Sequence, residues 1–425
     1  MRSRSGRLYG GAVEALTVRR AWPAGRVLAL VLALLLLATS GAGSALIYES
    51  LDLRTAPDEY NIAAWEVRNL PGKWLFLFGQ LFRGKPSLAE ENEALVRFFE
   101  LTREIDALER ATSDAEQRGL SPDPQRTASL AEKRRERDRI ENQVEAAIEG
   151  RLTRVLEQQR IERSFLFLPA VVWPPVDFEF TDAPRTLAVS PRERIELKGT
   201  SLLREDLSLA QIEAIEAGKG AEGLSALAFP TSGIGAYPTI VDYAADYRAA
   251  VETAAHEWTH NYLFFRPLGF SYYDSYDLRA MNETVADLVG RELAEAVVAA
   301  WPLPGATSAP RAPTPGVDVG AELRRLRGEV DALLAQGQVE AAEALMEQRR
   351  RELAAQGFTI RKLNQAYFAF VNLYAGAAGN PAATNPIGPK VDELRRRAGS
   401  LQEFVRIAGG LTSVAGLDRA LAELP

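Results

Sequence analysis

The chain has 425 residues, of which 47% are hydrophobic and 25% charged, and its formal net charge is −7. This length exceeds the usual size of one domain and predicts a core with accessory segments. The acidic balance gives no electrostatic reason to expect nucleic acid as a partner. Because the sequence contains no cysteine, disulfides, thiolate metal ligands and a lipidated cysteine anchor are excluded. Any metal ion must therefore be bound by histidine and carboxylate side chains.

The amino-terminal region predicts membrane insertion. Residues 27–48 carry no charged side chain and are long enough to cross a bilayer as a helix. Residues 1–26 contain six arginines against one acid, Glu14, which predicts a cytoplasmic basic terminus and an extracytoplasmic main domain. The alternative is a cleaved secretory signal, because the small residues at 42–45 suit a signal peptidase. In both cases the main domain is predicted to be exported.

Two segments follow before the predicted catalytic core. In the juxtamembrane segment, 49–86, an apolar run at 74–82 is too short to span a bilayer and either lies at the membrane surface or packs into the domain. Residues 87–164 show apolar positions at helical spacing on both sides of a breaker cluster at 119–124. This pattern predicts an antiparallel helical hairpin or stalk, with a partner-binding coiled coil left open.

Short β-type runs predict a small sheet at the start of the core, 165–300. They cover residues 165–172, 176–181, 186–189, 194–197 and 238–241. The stretch 229–238 is rich in glycine and proline, which predicts a loop leading into an exposed edge strand. Such edges can bind extended peptides by strand addition.

The chemistry centres on the only two histidines, His256 and His260, which are four residues apart with Glu257 after the first. On a helix, positions i and i+4 share a face and can aim two imidazoles at one metal ion. Asp242 is the predicted helix N-cap, and residues 243–265 contain neither glycine nor proline. Glu257 would then lie beside the metal, placed to accept a proton from a water molecule.

With no third histidine, the third ligand is expected to be a carboxylate. Glu283 and Asp287 share a face of a second predicted helix, where Ala286 and Gly290 permit close helix packing. Glu283 is the predicted ligand. Asp287 is predicted to hydrogen-bond a ligand histidine without binding the metal itself. The competing interpretation is an exposed acidic helix face.

These motifs resemble the gluzincin metallopeptidases, the thermolysin-like group with His-Glu-x-x-His followed by a glutamate ligand on a second helix. The likeness covers about residues 242–292 and includes the family's Asn-Glu with an acid four residues later, here Asn282, Glu283 and Asp287. It implies zinc, peptide hydrolysis and Glu257 as general base. A weaker likeness to predicted bacterial aminopeptidases extends to residues 363–367 and Tyr374.

The chain departs from thermolysin because it has no further histidine to stabilise the oxyanion. A tyrosine or arginine must substitute, and tyrosines occur on the connector between the two predicted zinc helices and on a later helix. Tyr374 is the predicted oxyanion donor and Tyr367 the next choice, although either can be a packed aromatic. The connector candidates are Tyr272, Tyr273 and Tyr276.

Beyond the core, residues 301–320 are rich in proline and glycine and predict a flexible linker, and residues 321–425 predict a helical C-terminal lobe. The expected fold is α+β and predominantly helical. The expected function is that of a single-pass membrane zinc peptidase, extracytoplasmic, acting on peptides or proteins. The alternative is a non-enzymatic envelope scaffold with a helical stalk and a degenerate metal site. Endopeptidase and aminopeptidase activity, and the oligomeric state, stay open.

Overall fold

The structure is a computed structural model that describes residues 56–62, 64–66, 68, 86–117, 121, 123–165, 168–306, 318–374 and 384–424. The predicted membrane segment at 27–48 and the apolar run at 74–82 lie outside the described residues. Within the described ranges, no helix is both long and apolar enough to traverse a bilayer. The described chain is predominantly helical with small sheets, which confirms the predicted α+β class.

The helices of the described chain are bounded as follows: α1 Leu88–Gln117, α2 Pro124–Gln158, α3 Leu209–Ala221, α4 Tyr247–Phe264, α5 Pro267–Phe270, α6 Tyr276–Ala300, α7 Val319–Ala335, α8 Val339–Ala355, α9 Gln365–Val371, α10 Ile387–Arg397, α11 Leu401–Gly409 and α12 Val414–Glu423. The strands are β1 Arg163–Phe165, β2 Leu168–Val171, β3 Phe178–Phe180, β4 Arg185–Pro191, β5 Gly199–Leu203, β6 Leu224–Pro230, β7 Gly233–Ile234 and β8 Thr239–Val241. A 3₁₀ turn covers Ala56–Asp58.

The helical hairpin predicted for residues 87–164 is present as α1 and α2. Its helices are antiparallel, because Arg97 of α1 pairs with Glu136 of α2, whereas further along α1 the Ala111 carbonyl accepts from Arg126, which lies earlier in α2. The base of the hairpin belongs to the main core, where residues such as Phe98 and Ile148 are buried with α4 and α6. The hairpin is therefore built into the domain at one end.

The strands form three small sheets. The antiparallel sheet β5-β4-β6 has α3 packed on one face, while Ala188 of β4 contacts Phe370 of α9 on the other. The second sheet has the order β3-β8-β7, with β3 parallel and β7 antiparallel to β8. Among the described residues β7 has a strand neighbour on one side only, so it is an edge strand. The prediction of a loop at 229–238 that leads into an edge strand is wrong, because the strand that follows, β8, lies between β3 and β7. The strands β1 and β2 pair as an antiparallel hairpin.

Helices α4 and α6 form the centre of the molecule and run antiparallel. Arg248 pairs with Glu295 at one end, while His260 contacts Asn282 near the other. The two helices bury a shared apolar face that includes Val251, Ala255, Trp258, Met281, Val285 and Val289. Between them, a Cβ atom added to Gly290 would lie 3.0 Å from the carbonyl oxygen of Glu252 and 3.1 Å from the Cβ of His256. The absence of a side chain at Gly290 therefore sets how closely the helices approach.

The C-terminal helices divide between two cores. Helices α10 and α11 pack against α6 in the main core, where Phe404 and Leu394 are fully buried, and α12 packs against α10. Helices α7 and α8 form a hairpin with a core of their own. This core also includes Leu363, just before α9, and Phe368 in α9. The segment predicted as a helical lobe is thus helical, but it is not one packing unit.

Three further details of the sequence prediction are wrong. The strand expected at 194–197 is part of the loop between β4 and β5. There the Ser190 hydroxyl donates to the Arg194 carbonyl oxygen and accepts from the Glu196 amide. The N-cap of α4 is Asp246, which accepts a hydrogen bond from the Ala249 amide, whereas Asp242 accepts one from the Ala183 amide. The helix therefore starts at Tyr247 instead of residue 243.

The predicted linker at 301–320 is also too long at its amino-terminal end. Leu303 and Ala306 are buried in the main core, and the Tyr247 amide donates to the Ala306 carbonyl. Residues 307–317 lie outside the described part of the chain.

Replacement of Gly290 by alanine is expected to destabilise the fold by about 1–3 kcal/mol, because the added methyl group meets backbone atoms that cannot move aside. Gly150 in α2 is the matched control, because it is exposed and a Cβ there meets nothing within 4 Å. Gly150→Ala is expected to stabilise by up to about 1 kcal/mol through helix propensity. Urea unfolding of the two variants measures both effects, and equal unfolding midpoints would contradict the packing argument.

Candidate metal centre

The two histidines lie on one face of α4 and converge. Their Nε2 atoms are 3.1 Å apart, and the side chains are 16% and 18% exposed for His256 and His260. The helix that carries them is fixed in the core by Trp258, whose indole nitrogen donates to the Pro174 carbonyl oxygen. The predicted i, i+4 arrangement is therefore present on a buried helix.

Helix α6 contributes the third side chain, Glu283, which is 3% exposed. Its Oε2 atom lies 3.6 Å from His256 Nε2 and 3.4 Å from His260 Nε2. His256, His260 and Glu283 are the group identified among the described residues as able to hold a metal ion. The structure thus brings together the three residues predicted as ligands, from helices separated by the connector around α5.

Each histidine is held on its far side by a partner from α6. His256 Nδ1 lies 3.0 Å from Asp287 Oδ1, as predicted, and His260 Nδ1 lies 2.8 Å from Asn282 Oδ1. Both partner atoms are acceptors, so each Nδ1 carries the proton and donates it. In the neutral form, each imidazole then presents the lone pair of Nε2 to the centre, which is the tautomer that binds a metal.

The centre consists of acceptor atoms that face one another. Two Nε2 lone pairs and a carboxylate oxygen repel unless a cation lies between them. The surrounding charges favour that cation. Burial lowers the pKa of His256, but its contacts with Asp287 and Glu283 outweigh burial and raise its pKa well above the usual value. The arrangement therefore fits a metal ion bound by His256, His260 and Glu283.

Glu257 follows His256 on α4 and is only 7% exposed. Burial raises the pKa of its carboxyl group, and this effect exceeds the opposing influence of the two histidines. A Cβ atom placed on Gly233 of β7 would lie 2.8 Å from Glu257 Cγ, and one on Gly235 would lie 3.2 Å from His260 Cβ. The edge strand and the residue after it thus lie directly against Glu257 and His260.

The two predicted oxyanion donors have different surroundings. Burial raises the pKa of Tyr374 well above the usual value, and the charge of Glu283 raises it further. The Tyr374 ring lies 5.4 Å from that of Phe370. The pKa of Tyr367 is raised by burial alone, and its ring lies 6.1 Å from that of Phe229. Both tyrosines are therefore packed aromatics, and Tyr374 is the one whose pKa responds to the charge of Glu283.

Sequence reasoning gave no contact role to two residues of the site. Tyr272, on the connector, donates a short hydrogen bond from its hydroxyl to Glu283 Oε1. Asn282, noted only as part of the family pattern, is the partner of His260. The signal for Asn282 was its position directly before Glu283. No sequence signal distinguishes Tyr272 from its neighbours Tyr273 and Tyr276.

Comparison of the chain with protein-family models gives no match, and comparisons with curated proteins and with solved structures likewise give none.

Removal of a metal-binding side chain and removal of an outer partner are expected to differ in their effect. Glu283→Ala should bind Zn²⁺ as poorly as His260→Ala, since each loses a bond to the metal. Asp287→Ala and Asn282→Ala should retain the metal with affinity lower by about 10- to 100-fold. Competition with a chromophoric chelator measures all four affinities.

Asp277→Ala is the matched control, because this exposed acid lies in the first turn of the same helix, α6. Its affinity for Zn²⁺ should equal that of the unaltered protein. A filled site in Glu283→Ala together with an empty site in Asp287→Ala would reverse the two assignments.

Proposed function

We propose that the protein is a zinc-dependent peptidase in which Glu257 is the general base and His256, His260 and Glu283 bind the metal. The observation that carries this proposal is that His256, His260 and Glu283 converge beside Glu257, whose carboxylate is buried. A structural zinc site is usually closed by four protein ligands. Three ligands next to a carboxylate of raised pKa are typical of a catalytic site.

Zinc is the metal that these ligands favour. Two imidazole nitrogens and one carboxylate oxygen are a common catalytic zinc set. Ligand atoms about 2.0–2.1 Å from a tetrahedral ion are separated by about 3.3–3.4 Å. The three separations here, 3.1, 3.4 and 3.6 Å, bracket that value. When bound, zinc would polarise the scissile carbonyl group and make a water molecule more acidic.

Glu257 is suited to move the proton in this reaction. Its raised pKa makes it a stronger base than an ordinary carboxylate and brings it closer to the working pH of a general base. The proton that it takes from the attacking water can pass to the leaving amine, which completes hydrolysis of the amide bond. Tyr374 is proposed to donate a hydrogen bond to the oxyanion, since its raised pKa keeps the phenol protonated at neutral pH.

The position of β7 supports an extended peptide as substrate. This edge strand pairs with β8 on one side, and no strand among the described residues pairs with its other side. Gly233 and Gly235 bring its backbone against Glu257 and His260. A peptide that pairs with such an edge runs past the catalytic carboxylate with its own backbone aligned. Peptides and proteins are thus the proposed substrates.

The gluzincin-like pattern of the sequence is consistent with this proposal, and we propose membership of that group. Each residue that carries the resemblance has a defined contact: Asn282 and Asp287 hold the two histidines, and Glu283 faces their Nε2 atoms. The likeness to predicted bacterial aminopeptidases stays a proposal of the same kind.

Replacement of Glu257 by glutamine tests the mechanism. Turnover is expected to fall by at least about 10²-fold, because the amide cannot accept the proton, while the zinc content stays near one per chain. The assay uses internally quenched peptides together with aminoacyl coumarins, which also separates endopeptidase from aminopeptidase activity. Elemental analysis reports the zinc.

Glu252→Gln is the matched control, since Glu252 lies on the same helix and is half-exposed beside Arg248. It should keep full turnover. Equal turnover in Glu257→Gln and the unaltered protein would rule out this mechanism. If cells that carry Glu257→Gln keep the phenotype of the unaltered protein, the envelope-scaffold alternative is favoured.

We also propose that the domain is extracytoplasmic and tethered by residues 27–48, on the strength of the arginine-rich segment before that apolar run. Protease added to intact spheroplasts is expected to degrade the catalytic domain. A domain that is degraded only after lysis would overturn this topology.

A further inference from the structure

A chain of hydrogen bonds reaches Glu283 from the side opposite the histidines. Arg279, one turn before Glu283 on α6, donates from Nε to the Tyr272 hydroxyl oxygen at 3.1 Å. The other end of its guanidinium reaches Thr200 Oγ1 on β5, at 3.4 and 3.5 Å. Tyr272 in turn contacts Glu283 Oε1. The chain therefore links the sheet β5-β4-β6 to the metal centre.

The chain has a fixed direction. A guanidinium group can only donate, so the Tyr272 oxygen accepts from Arg279. The single phenolic proton is then donated to Glu283 Oε1.

The two oxygens of Glu283 consequently have separate partners. Oε2 faces the two Nε2 atoms, whereas Oε1 accepts from Tyr272. Carboxylates can bind metal ions through one oxygen or through both. A hydrogen bond from the half-buried Tyr272 phenol, itself held by the Arg279 guanidinium, keeps Oε1 turned away from the histidines.

We propose that Tyr272 is a positioning residue that makes Glu283 a one-oxygen metal ligand and thereby keeps the fourth coordination position open for water and substrate. The inference rests on the proposed zinc function of the site. Without the phenol, Oε1 would be a buried carboxylate oxygen with its hydrogen-bond donor removed, which is energetically costly. Binding of Oε1 to the metal ion would offset this cost. Bidentate binding would then occupy space that the reaction needs.

Tyr272→Phe is the variant that isolates the hydroxyl. The ring itself contacts His260 edge-on, with centroids 6.1 Å apart, and this contact survives in phenylalanine. The protein is loaded with Co²⁺ in place of zinc, and its visible absorption is recorded, because a rise in coordination number from four to five weakens the d–d bands. Tyr272→Phe is expected to keep stoichiometric Co²⁺ with weakened bands, and its peptide turnover should fall by about 10- to 100-fold.

Tyr273→Phe is the matched control, since it removes a hydroxyl from the adjacent and more exposed tyrosine, 47% exposed. Its Co²⁺ spectrum should equal that of the unaltered protein. An unchanged Co²⁺ spectrum in Tyr272→Phe would overturn the inference even in an active peptidase. A metal-binding protein without peptidase activity would overturn the proposed function alone, while failure of the unaltered protein to bind Co²⁺ or Zn²⁺ would overturn both.

Discussion

The close approach of α4 and α6 is the constraint on which the rest of the site depends. Gly290 leaves room for the backbone of α4 at Glu252 and His256, and Ala286 is fully buried in the same interface. A few residues along, this contact places Glu283, Asn282 and Asp287 within hydrogen-bond or ligand distance of the two histidines. A wider helix separation would move both the metal ligand and the outer partners away together.

Burial of so many polar groups in one place needs electrostatic compensation. Glu283 and Glu257 are almost completely buried, and Asp287 is only slightly exposed. Removal of carboxylates from water costs several kcal/mol each unless they are paired. The histidines, the Tyr272 phenol and Arg279 pair with part of this charge, and a divalent cation between the Nε2 atoms and Glu283 would offset more of it. The excess of buried carboxylates at this site would therefore favour the binding of a metal cation.

The elements around the two helices complete the site from distant parts of the sequence. The edge strand β7 approaches Glu257 from one direction, whereas α9 and Tyr374 approach from the sheet β5-β4-β6. The segment before α9 is held to that sheet because Arg361 and Lys362 donate to the carbonyl oxygens of Ala228 and Ala226 on β6. Both residues also pair with the buried Glu216 of α3, which packs on the same sheet. Tyr276, at the start of α6, also donates from its hydroxyl to the Ala369 carbonyl. These contacts make the position of Tyr374 depend on the whole sheet and not on its own short helix.

The sequence by itself determined the features that arise from local spacing. His256 and His260 share a helical face because they are four residues apart, and Glu283 and Asp287 share another for the same reason. The absence of cysteine and of further histidines limited the third ligand to a carboxylate. The helical hairpin followed from its apolar periodicity and its breaker cluster. A Ser208–Gln211 capping box also marked the start of α3, although periodicity alone did not predict this helix.

Only the tertiary structure decided the features that depend on contacts between distant segments. Asp246 caps α4 because Asp242 is engaged by the Ala183 amide, 59 residues away in sequence. Tyr272 donates from its hydroxyl to Glu283, whereas the hydroxyl of Tyr276 donates to the Ala369 carbonyl. Tyr367 lies in α9 and Tyr374 just beyond it, and packing places the first against Phe229 and the second against Phe370. Local spacing determines which side chains lie on the same face of a helix. The packing of helices and strands from distant parts of the sequence determines which residues that face contacts.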